Sequence, residues 1–140
     1  MLYSNILVPY DGSELALKAL DNSIEFAKLD PTVKITVLHV VTIQSMTVHT
    51  SLYINLKIAK LEIANETVEP VKVKLAKIPN PSEVLIREGP PSYVILQQAK
   101  ETNCDLIIMG SRGLSGIKEF LGSVSHSITQ QSSIPVLLMK

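Results

Sequence analysis

A glycine-rich turn after a short apolar run is the segment whose residue types and spacing best suit ligand binding. The apolar run covers residues 106–109, and Gly110, Gly113, Gly122 and Ser123 follow it. Glycine lets the backbone approach a ligand closely, and the free N–H groups at a helix N-terminus carry about half a positive charge. Phosphate is the ligand that such an arrangement favours. An ordinary strand-to-helix turn that needs glycine only for its backbone angles explains the same pattern, so the motif alone leaves both readings open.

A second polar turn follows the first apolar run of the chain. Asn5–Pro9 is apolar and is followed by the turn-forming sequence YDGS. If the first and fourth strands of a parallel sheet are neighbours, the two turns face each other at its carboxyl edge, where ligands bind in such folds. The turn also begins a helix, with Asp11 and Glu14 forming a capping box or with Ser13 as the cap.

Composition excludes several kinds of partner. The chain has 140 residues, 13 basic and 13 acidic side chains, and only 4% aromatic residues. Because the charges balance, no broad electrostatic field recruits nucleic acid or an anionic membrane, and scarce aromatics argue against base stacking. No stretch approaches the roughly 20 apolar residues of a membrane span. We therefore expect one domain over residues 1–140 that binds neither nucleic acid nor membrane.

Cysteine and histidine give little support to redox or metal chemistry. Cys104 is the only cysteine, which excludes an internal disulfide and suits the reducing cytoplasm, and we expect it to be buried and inert. The N-terminus shows no signal peptide. His39 lies inside an apolar run, where a hydrogen-bonded core histidine is favoured over a ligand, and His49 and His126 are distant in sequence. We predict no metal site in the protein itself.

Apolar runs alternate with segments of helical periodicity along the whole chain. The predicted strands are Asn5–Pro9, Lys34–Val41, and residues 83–87, 106–109 and 134–139. This order predicts an α/β fold with an open parallel five-stranded sheet and helices on both faces. Residues 42–50 are interpreted as a mobile loop. Residues 51–77 fit both helical and strand periods, and we favour one long helix that kinks or ends its first part at Pro70.

Four segments resemble the universal stress protein family: the opening NILVPYDGSELALKAL, the HVV of the second strand, the REGPP turn and DLIIMGSRGLSGIKEFLGSVSHSI. The resemblance covers essentially the whole chain. It implies a Rossmann-like fold of the adenine nucleotide alpha hydrolase type with strand order 3-2-1-4-5. It also implies a homodimer formed through the C-terminal strand, residues 135–139, and the apolar edge of that strand gives the same expectation independently.

ATP-binding members of that family carry Gly, two residues, Gly, nine residues, Gly, and then Ser or Thr. Gly110 and Gly113 fit the first part of this motif and Gly122 with Ser123 fits the last, but residues 114–121 supply only eight residues between them. Inside a helical turn, one missing residue would rotate everything beyond it by about 100°. In an irregular loop the same loss costs little. The surrounding glycines favour the loop, so we expect a working site.

The resemblance implies roles for individual residues around an adenine nucleotide. Asp11 would bind the ribose or the base-proximal part of the nucleotide, the backbone of Val40 would pair with adenine, and Met109 would pack against the sugar or base. The phosphates would be held by the N–H groups of Gly110, Gly113, Ser123 and Val124 and by the Ser123 hydroxyl. Pro9, Tyr10, Arg112, Gly122 and Ser125 complete the candidate site.

Four of these assignments have alternatives. Tyr10 stands where the family usually has a small aliphatic residue, so its ring would crowd the adenine pocket or stack on the base. Arg112 adds charge at the phosphate end or is a solvated loop arginine. Asp11 also suits a helix cap, and Ser123 suits the N-cap of the last helix.

The function implied by the resemblance is a dimeric stress-response module that senses or sequesters ATP or another adenine nucleotide, with Mg²⁺ as a companion ion. Strong turnover is not expected, because the turn lacks the Gly-Lys-Ser/Thr ending of a P-loop and no general base is evident beside it, so at most a slow ATPase remains. The alternative is a dimeric scaffold or interaction protein that has lost nucleotide binding. The short spacer and Tyr10 support that alternative.

Overall fold

The computed structural model describes residues 2–43, 50–113 and 122–140. Strands and helices alternate in the predicted order. The elements are β1 (Asn5–Pro9), α1 (Glu14–Ala27), β2 (Lys34–Val41), α2 (Thr50–Leu75), β3 (Ser82–Glu88), α3 (Pro91–Glu101), β4 (Leu106–Gly110), α4 (Ser123–Gln131) and β5 (Val136–Met139). The α/β class predicted from periodicity is confirmed.

All strand pairs of the sheet are parallel, and the strand order is β3-β2-β1-β4-β5, as the resemblance implied. β1 is therefore the neighbour of β4. Pro9 pairs with Leu38 of β2, and Leu7 pairs with Ile107 of β4. Because this register brings the carboxyl ends of β1, β2 and β4 to one edge, the two polar turns that follow β1 and β4 begin side by side.

The three central strands, β1, β2 and β4, are largely buried on both faces, which explains why they read as continuous or nearly continuous apolar runs. Ile6 and Val8 of β1 belong to one core cluster together with Leu20 of α1 and Val71 of α2. Leu7 belongs to the other cluster, which contains Ile95 of α3 and Ile128 of α4. Helices α1 and α2 thus cover one face, and α3 and α4 cover the other.

Helix α1 is capped by Ser13, which decides between the two alternatives left by the sequence. The Ser13 hydroxyl accepts a hydrogen bond from the Ala16 N–H at 3.2 Å. Asp11 accepts the Ser13 N–H at 2.9 Å instead of capping the helix. Gly12 between them has φ +85°, a conformation that glycine adopts without strain.

Helix α2 is a single helix of 26 residues with Pro70 inside it, which excludes one of the two expected alternatives, an end of its first part at Pro70. Proline removes one helical hydrogen bond. Here Pro70 and Glu66, whose carbonyl loses that bond, are both exposed, so water can replace the missing donor. The buried residues of α2 are Ala64, Val68, Val71 and Leu75, all in its second half.

Element boundaries differ from the sequence prediction by one or two residues in most places. β5 begins at Val136 rather than at 134, because Ser132 first closes a turn in which its hydroxyl accepts the Ile134 N–H at 3.1 Å. Thr50 belongs to α2 and not to the preceding loop. The rest of that predicted loop includes residues 44–49, which lie outside the described residues, as does the spacer 114–121.

Candidate functional site

The turns after β1 and β4 touch each other at the carboxyl edge of the sheet. A Cβ atom added to Gly113 would lie 2.5 Å from Oδ2 of Asp11. That distance is far below a van der Waals contact, so the Asp11 carboxylate lies directly against the α-carbon of Gly113. The convergence of two stretches about one hundred residues apart in sequence is therefore real in the structure.

The last glycine of the motif lies beside the first two. The Gly122 N–H donates to the Ser111 carbonyl at 2.8 Å, and a Cβ atom on Gly122 would lie 3.2 Å from Cα of Arg112. The Ser125 hydroxyl lies 2.5 Å from the same Ser111 carbonyl oxygen. These contacts fasten the start of α4 to the turn after β4. Both ends of the motif thus remain together on either side of the eight-residue spacer.

The N-terminus of α4 carries backbone donors at this edge. Gly122 is its N-cap and supplies no side-chain hydrogen bond, so the expectation that Ser123 caps the helix is wrong. Ser123 is the first helical residue and is exposed. The first N–H groups of a helix have no partner within the helix, and those of Ser123 and Val124 fall in this class. Together with the helix dipole they favour an anion.

Asp11 gives the opposite end of the site an acceptor. Its Oδ1 is held by the Ser13 N–H at 2.9 Å, while Oδ2 faces Gly113. A carboxylate accepts hydrogen bonds from hydroxyl groups and repels phosphate. The site therefore offers an acceptor for a hydroxyl near β1 and donors for an anion at α4.

Val40 and Met109 lie on the α3/α4 face of the sheet. Met109 is buried in the core cluster of that face, and Val40 packs against the same cluster. Since Pro9 pairs with Leu38, Val40 follows on β2 at the level of Asp11. The structure thus brings Pro9, Val40 and Met109 to the edge at which Asp11 and Gly113 meet.

Tyr10 points its ring away from that side of the sheet. The residue is 8% exposed and belongs to the α1/α2 core cluster, and its N–H donates to the Leu38 carbonyl at 2.8 Å. Burial raises the pKa of the Tyr10 hydroxyl, and the negative charge of Asp11 adds to the effect. The neutral ring packs on the face of the sheet opposite Val40 and Met109. Tyr10 therefore contributes only its backbone to the carboxyl edge of the sheet.

The side chains of His39 and Cys104 make hydrogen bonds that support the fold. The His39 Nδ1–H donates to the Tyr10 carbonyl at 2.7 Å and so supports the end of β1. Cys104 is buried, its Sγ lies 3.0 Å from the Thr102 hydroxyl, and burial raises the pKa of its thiol. The raised pKa disfavours the thiolate, which agrees with the predicted inert cysteine. Across residues 2–43, 50–113 and 122–140, no three His, Cys, Asp or Glu side chains group as metal ligands.

Ser111, Leu15 and Thr67 shape the site but were not predicted from the sequence. The Ser111 carbonyl receives α4, and its N–H donates to the Met139 carbonyl at 2.8 Å. A Cβ atom on Gly110 would lie 2.9 Å from Cβ of Leu15, so Gly110 lets α1 pack on the end of β4. A Cβ atom on Gly12 would lie 3.2 Å from Cγ2 of Thr67 on α2. The one sequence signal for Ser111 is its place between two motif glycines.

Arg112 lies within the turn, half-buried, with its α-carbon against Gly122. This position attaches a permanent positive charge to the same turn as the donors of α4. In the part of the chain that the structure describes, no helix is long and apolar enough to cross a membrane.

Comparisons with known proteins cover the whole length of the chain. The family model described as the universal stress protein family matches residues 2–140. Universal stress protein YxiE of Bacillus subtilis is 37% identical, over 99% of this chain and 100% of its own. The solved structure of MJ0577, a universal stress protein of Methanocaldococcus jannaschii, has a TM-score of 0.90 and 32% identity, covering 100% of this chain and 97% of its own.

Two more distant solved structures contain adenine nucleotides. A universal stress protein family protein of Arabidopsis thaliana has AMP bound, with a TM-score of 0.73, 20% identity, and coverage of 98% of this chain and 91% of its own. A universal stress protein in complex with cAMP has a TM-score of 0.67, 24% identity, and coverage of 100% and 99%. At these identities the likeness establishes the shared fold. With the family match over residues 2–140, the chain belongs to the universal stress protein family.

Proposed function

We propose that this chain binds an adenine nucleotide, ATP in particular, at the carboxyl edge of the sheet, and senses or sequesters it as a homodimeric stress-response module. The observation that carries the proposal is the contact between Asp11 and Gly113 beside the uncapped N-terminus of α4. An acceptor for hydroxyls and a set of anion donors at one edge match the two polar parts of a nucleotide.

The residues divide between the parts of the ligand. Oδ2 of Asp11, which accepts no hydrogen bond from the residues that the structure describes, suits a ribose hydroxyl, and the carboxyl end of β2 at Val40 offers backbone groups to the base. Met109 and Pro9 are buried, so they would support the floor of the site between these two groups. The N–H groups of Gly113, Ser123 and Val124, with the exposed Ser123 hydroxyl, would hold the phosphates. The Ser125 hydroxyl is engaged with the Ser111 carbonyl, so we assign Ser125 to holding α4 in place.

AMP and cAMP share adenosine and a phosphorus-bearing anion, and both are bound by proteins of this fold. This similarity supports an adenine nucleotide as the ligand class here. Mg²⁺ would enter with the phosphates, because magnesium uses few protein ligands and keeps water and phosphate oxygens as the others. We place the protein in the cytoplasm, where its single thiol stays reduced.

Slow or no hydrolysis is part of the proposal. Phosphoryl transfer needs neutralisation of charge on the transferred group and a positioned attacking water. Asp11 already accepts the Ser13 N–H through Oδ1, and the proposal gives Oδ2 to a ribose hydroxyl, so neither carboxylate oxygen is left to orient that water. Arg112 supplies one charge on the turn, which suits retention of phosphate more than its transfer.

Titration calorimetry with ATP tests the nucleotide proposal. We expect saturable binding by the native chain and roughly tenfold to hundredfold weaker binding by Asp11→Ala, the loss of one charge-assisted hydrogen bond. Asp21→Ala is the matched control, since Asp21 is exposed on α1, the helix that follows the Asp11 turn, and pairs with Lys74. Absence of heat and of thermal stabilisation at millimolar ATP would contradict the proposal.

The second candidate function is a dimeric scaffold of the same fold that binds no nucleotide. The eight-residue spacer between Gly113 and Gly122 favours it, because the resemblance implies nine residues there in ATP-binding members of the family. A chain that dimerises normally while ignoring ATP, AMP and cAMP in the same calorimetric series would select the scaffold.

We further propose that the dimer forms through β5. This strand lies at the edge of the sheet, and Leu137 on it is 44% exposed, so an unpaired apolar edge is available to a second copy. Leu137→Lys places one positive charge from each chain at the pairing of the two β5 strands. The mass measured by light scattering at micromolar concentration should therefore fall from that of two chains to that of one. Leu29→Lys, at a 72% exposed position on the turn after α1, is the control. A native chain that scatters as a single chain at micromolar concentration would argue against β5 pairing.

A further inference from the structure

An apolar stripe runs along the side of α2. It consists of Leu52, Leu56, Ala59 and Ile63, and Leu52 and Ile63 are 51% and 61% exposed. At about 100° per residue, the stripe lies roughly 120° around the helix from the buried face that begins at Ala64. The sequence spacing of four, three and four residues is therefore helical, but this face is not the one that packs on the sheet.

Two contacts join α2 to the ends of the neighbouring strands. Lys57 pairs with Glu88, the last residue of β3, at 3.4 Å, and Lys60 Nζ donates to the carbonyl of Thr42, just past β2, at 2.6 Å.

Leu52 and Leu56 precede both contacts, in the first two turns of α2. Ala59 and Ile63 follow Lys57, and they are exposed because they lie on a different side of the helix from its buried face.

We propose that the α2 stripe pairs with the α2 stripe of a second copy of this chain in antiparallel orientation. A four-three-four spacing of apolar residues is the seam of a two-helix coiled coil. The spacing is also the same from either end of the stripe. A second copy aligned by a two-fold axis therefore sets Leu52 opposite Ile63 of the second copy, and Leu56 opposite Ala59 of the second copy.

The residues flanking the stripe are compatible with this alignment. Tyr53 and Lys60 lie on one flank, and Asn55 and Glu62 lie on the other. In the antiparallel pair, Lys60 comes beside Tyr53 of the second copy and Glu62 beside Asn55 of the second copy. No like charges in this seam face each other, and the carboxylate–amide pair is favourable. The Lys60 ammonium keeps its hydrogen bond to the Thr42 carbonyl, so its aliphatic stem is the part that lies beside the tyrosine ring. The mixed flanks also differ from the strongly basic face of a helix that binds anionic membranes.

The seam is short, so the pairing is weak but specific. Twelve residues from Leu52 to Ile63 span about 18 Å. A contact of this length buries less surface area than a standard-sized protein interface. We therefore expect reversible association at high micromolar concentration. The α2 stripe lies on the β3 side of the molecule and β5 on the opposite edge, so the two contacts involve separate surfaces.

Sedimentation velocity on Leu137→Lys chains isolates the α2 contact from any pairing through β5. We expect these chains to associate into pairs as concentration rises to about 200 μM. Adding Ile63→Glu should weaken that association at least tenfold, because it places a carboxylate in the seam. Ile58→Glu is the matched control: it is the same change on the same helix at a 50% exposed position outside the stripe.

The outcomes separate cleanly. Loss of pairing with Ile63→Glu but not with Ile58→Glu supports the α2 seam. Single chains at every concentration in the Leu137→Lys background overturn it, as does an equal effect of the two glutamates. All three positions are exposed, so circular dichroism of each variant should match the parent. Oxidation of Leu56→Cys/Ala59→Cys chains to linked pairs in the same background supports the antiparallel alignment, and failure to link counts against it.

Discussion

Valine at position 113 is expected to reduce ATP affinity by at least about a hundredfold, which corresponds to roughly 3 kcal/mol of binding free energy. The added Cβ atom would lie 2.5 Å from Oδ2 of Asp11, so one of the two must move. Asp11 cannot swing away freely, because its Oδ1 holds the Ser13 N–H. Gly113→Val therefore displaces the acceptor and the backbone donor of the proposed site together.

Titration calorimetry with ATP measures the effect of Gly113→Val, and Gly113→Ala should give a smaller loss in the same direction. The fold should survive both changes, because Gly113 is exposed and its backbone φ lies outside the left-handed region. Ser133→Val, on an exposed turn at the opposite edge of the sheet, is the control. ATP affinity equal to that of the native chain in Gly113→Val would show that nucleotide binds elsewhere or not at all.

Aspartate at position 80 should cause the largest loss of stability, about 3 to 5 kcal/mol of unfolding free energy. The buried Asn80 amide nitrogen donates to the carbonyls of Ala27, Asp30 and Val33 at 2.9 to 3.0 Å. It thereby ties the end of α1 and the start of β2 to the segment before β3. Asn80→Asp replaces that donor with an acceptor facing three other acceptors.

Urea unfolding of Asn80→Asp chains measures this loss, with the exposed Asn22→Asp as the control for the same chemical change. The new carboxyl group would have a raised pKa in the folded state, since its charged form is both buried and repelled. Its proton is then bound more tightly when folded, so the variant should become less stable as pH rises through the carboxyl range. A variant within 1 kcal/mol of the native chain at pH 7 would refute this account of Asn80.

The fold was predictable because each element carries its own local signal. β1, β2 and β4 are largely buried on both faces, so they appear as continuous or nearly continuous apolar runs, and β1 ends at a proline and β4 at a glycine. The strand order came from the resemblance alone. Periodicity does not determine which strands pair, because parallel neighbours are set by long-range packing.

Helix α2 shows where periodicity misleads. Three faces of this helix carry apolar residues at helical spacing, and the one that is buried lies in its second half. The sequence therefore predicts the helix correctly but not which side meets the sheet. Which side meets the sheet depends on tertiary contacts, such as those that Lys57 and Lys60 make with the ends of β3 and β2. Such contacts are not visible in the sequence.

The meeting of the two turns at the candidate site was predictable, but several contacts within the site were not. The approach of Asp11 to Gly113 follows from β1 and β4 being neighbours. The Tyr10 ring lies on the same face as Ile6 and Val8, because the alternation of side chains along β1 continues for one residue past the strand. The turn-forming sequence around Tyr10 does not indicate this. The helix cap at Gly122 in place of Ser123 depends on Ser111 accepting the Gly122 N–H, a bond that sequence does not reveal.

The bonds that Ser111 makes to Gly122 and Ser125 have a practical consequence for protein engineering. Because these bonds hold the chain on both sides of residues 114–121, they do not depend on how many residues lie between them. For a flexible loop in general, going from eight to nine residues changes the free energy of closure by only about 0.1 kcal/mol. A reporter peptide grafted between Gly113 and Gly122 should therefore leave the domain folded, and its signal would respond directly to whatever occupies the neighbouring edge.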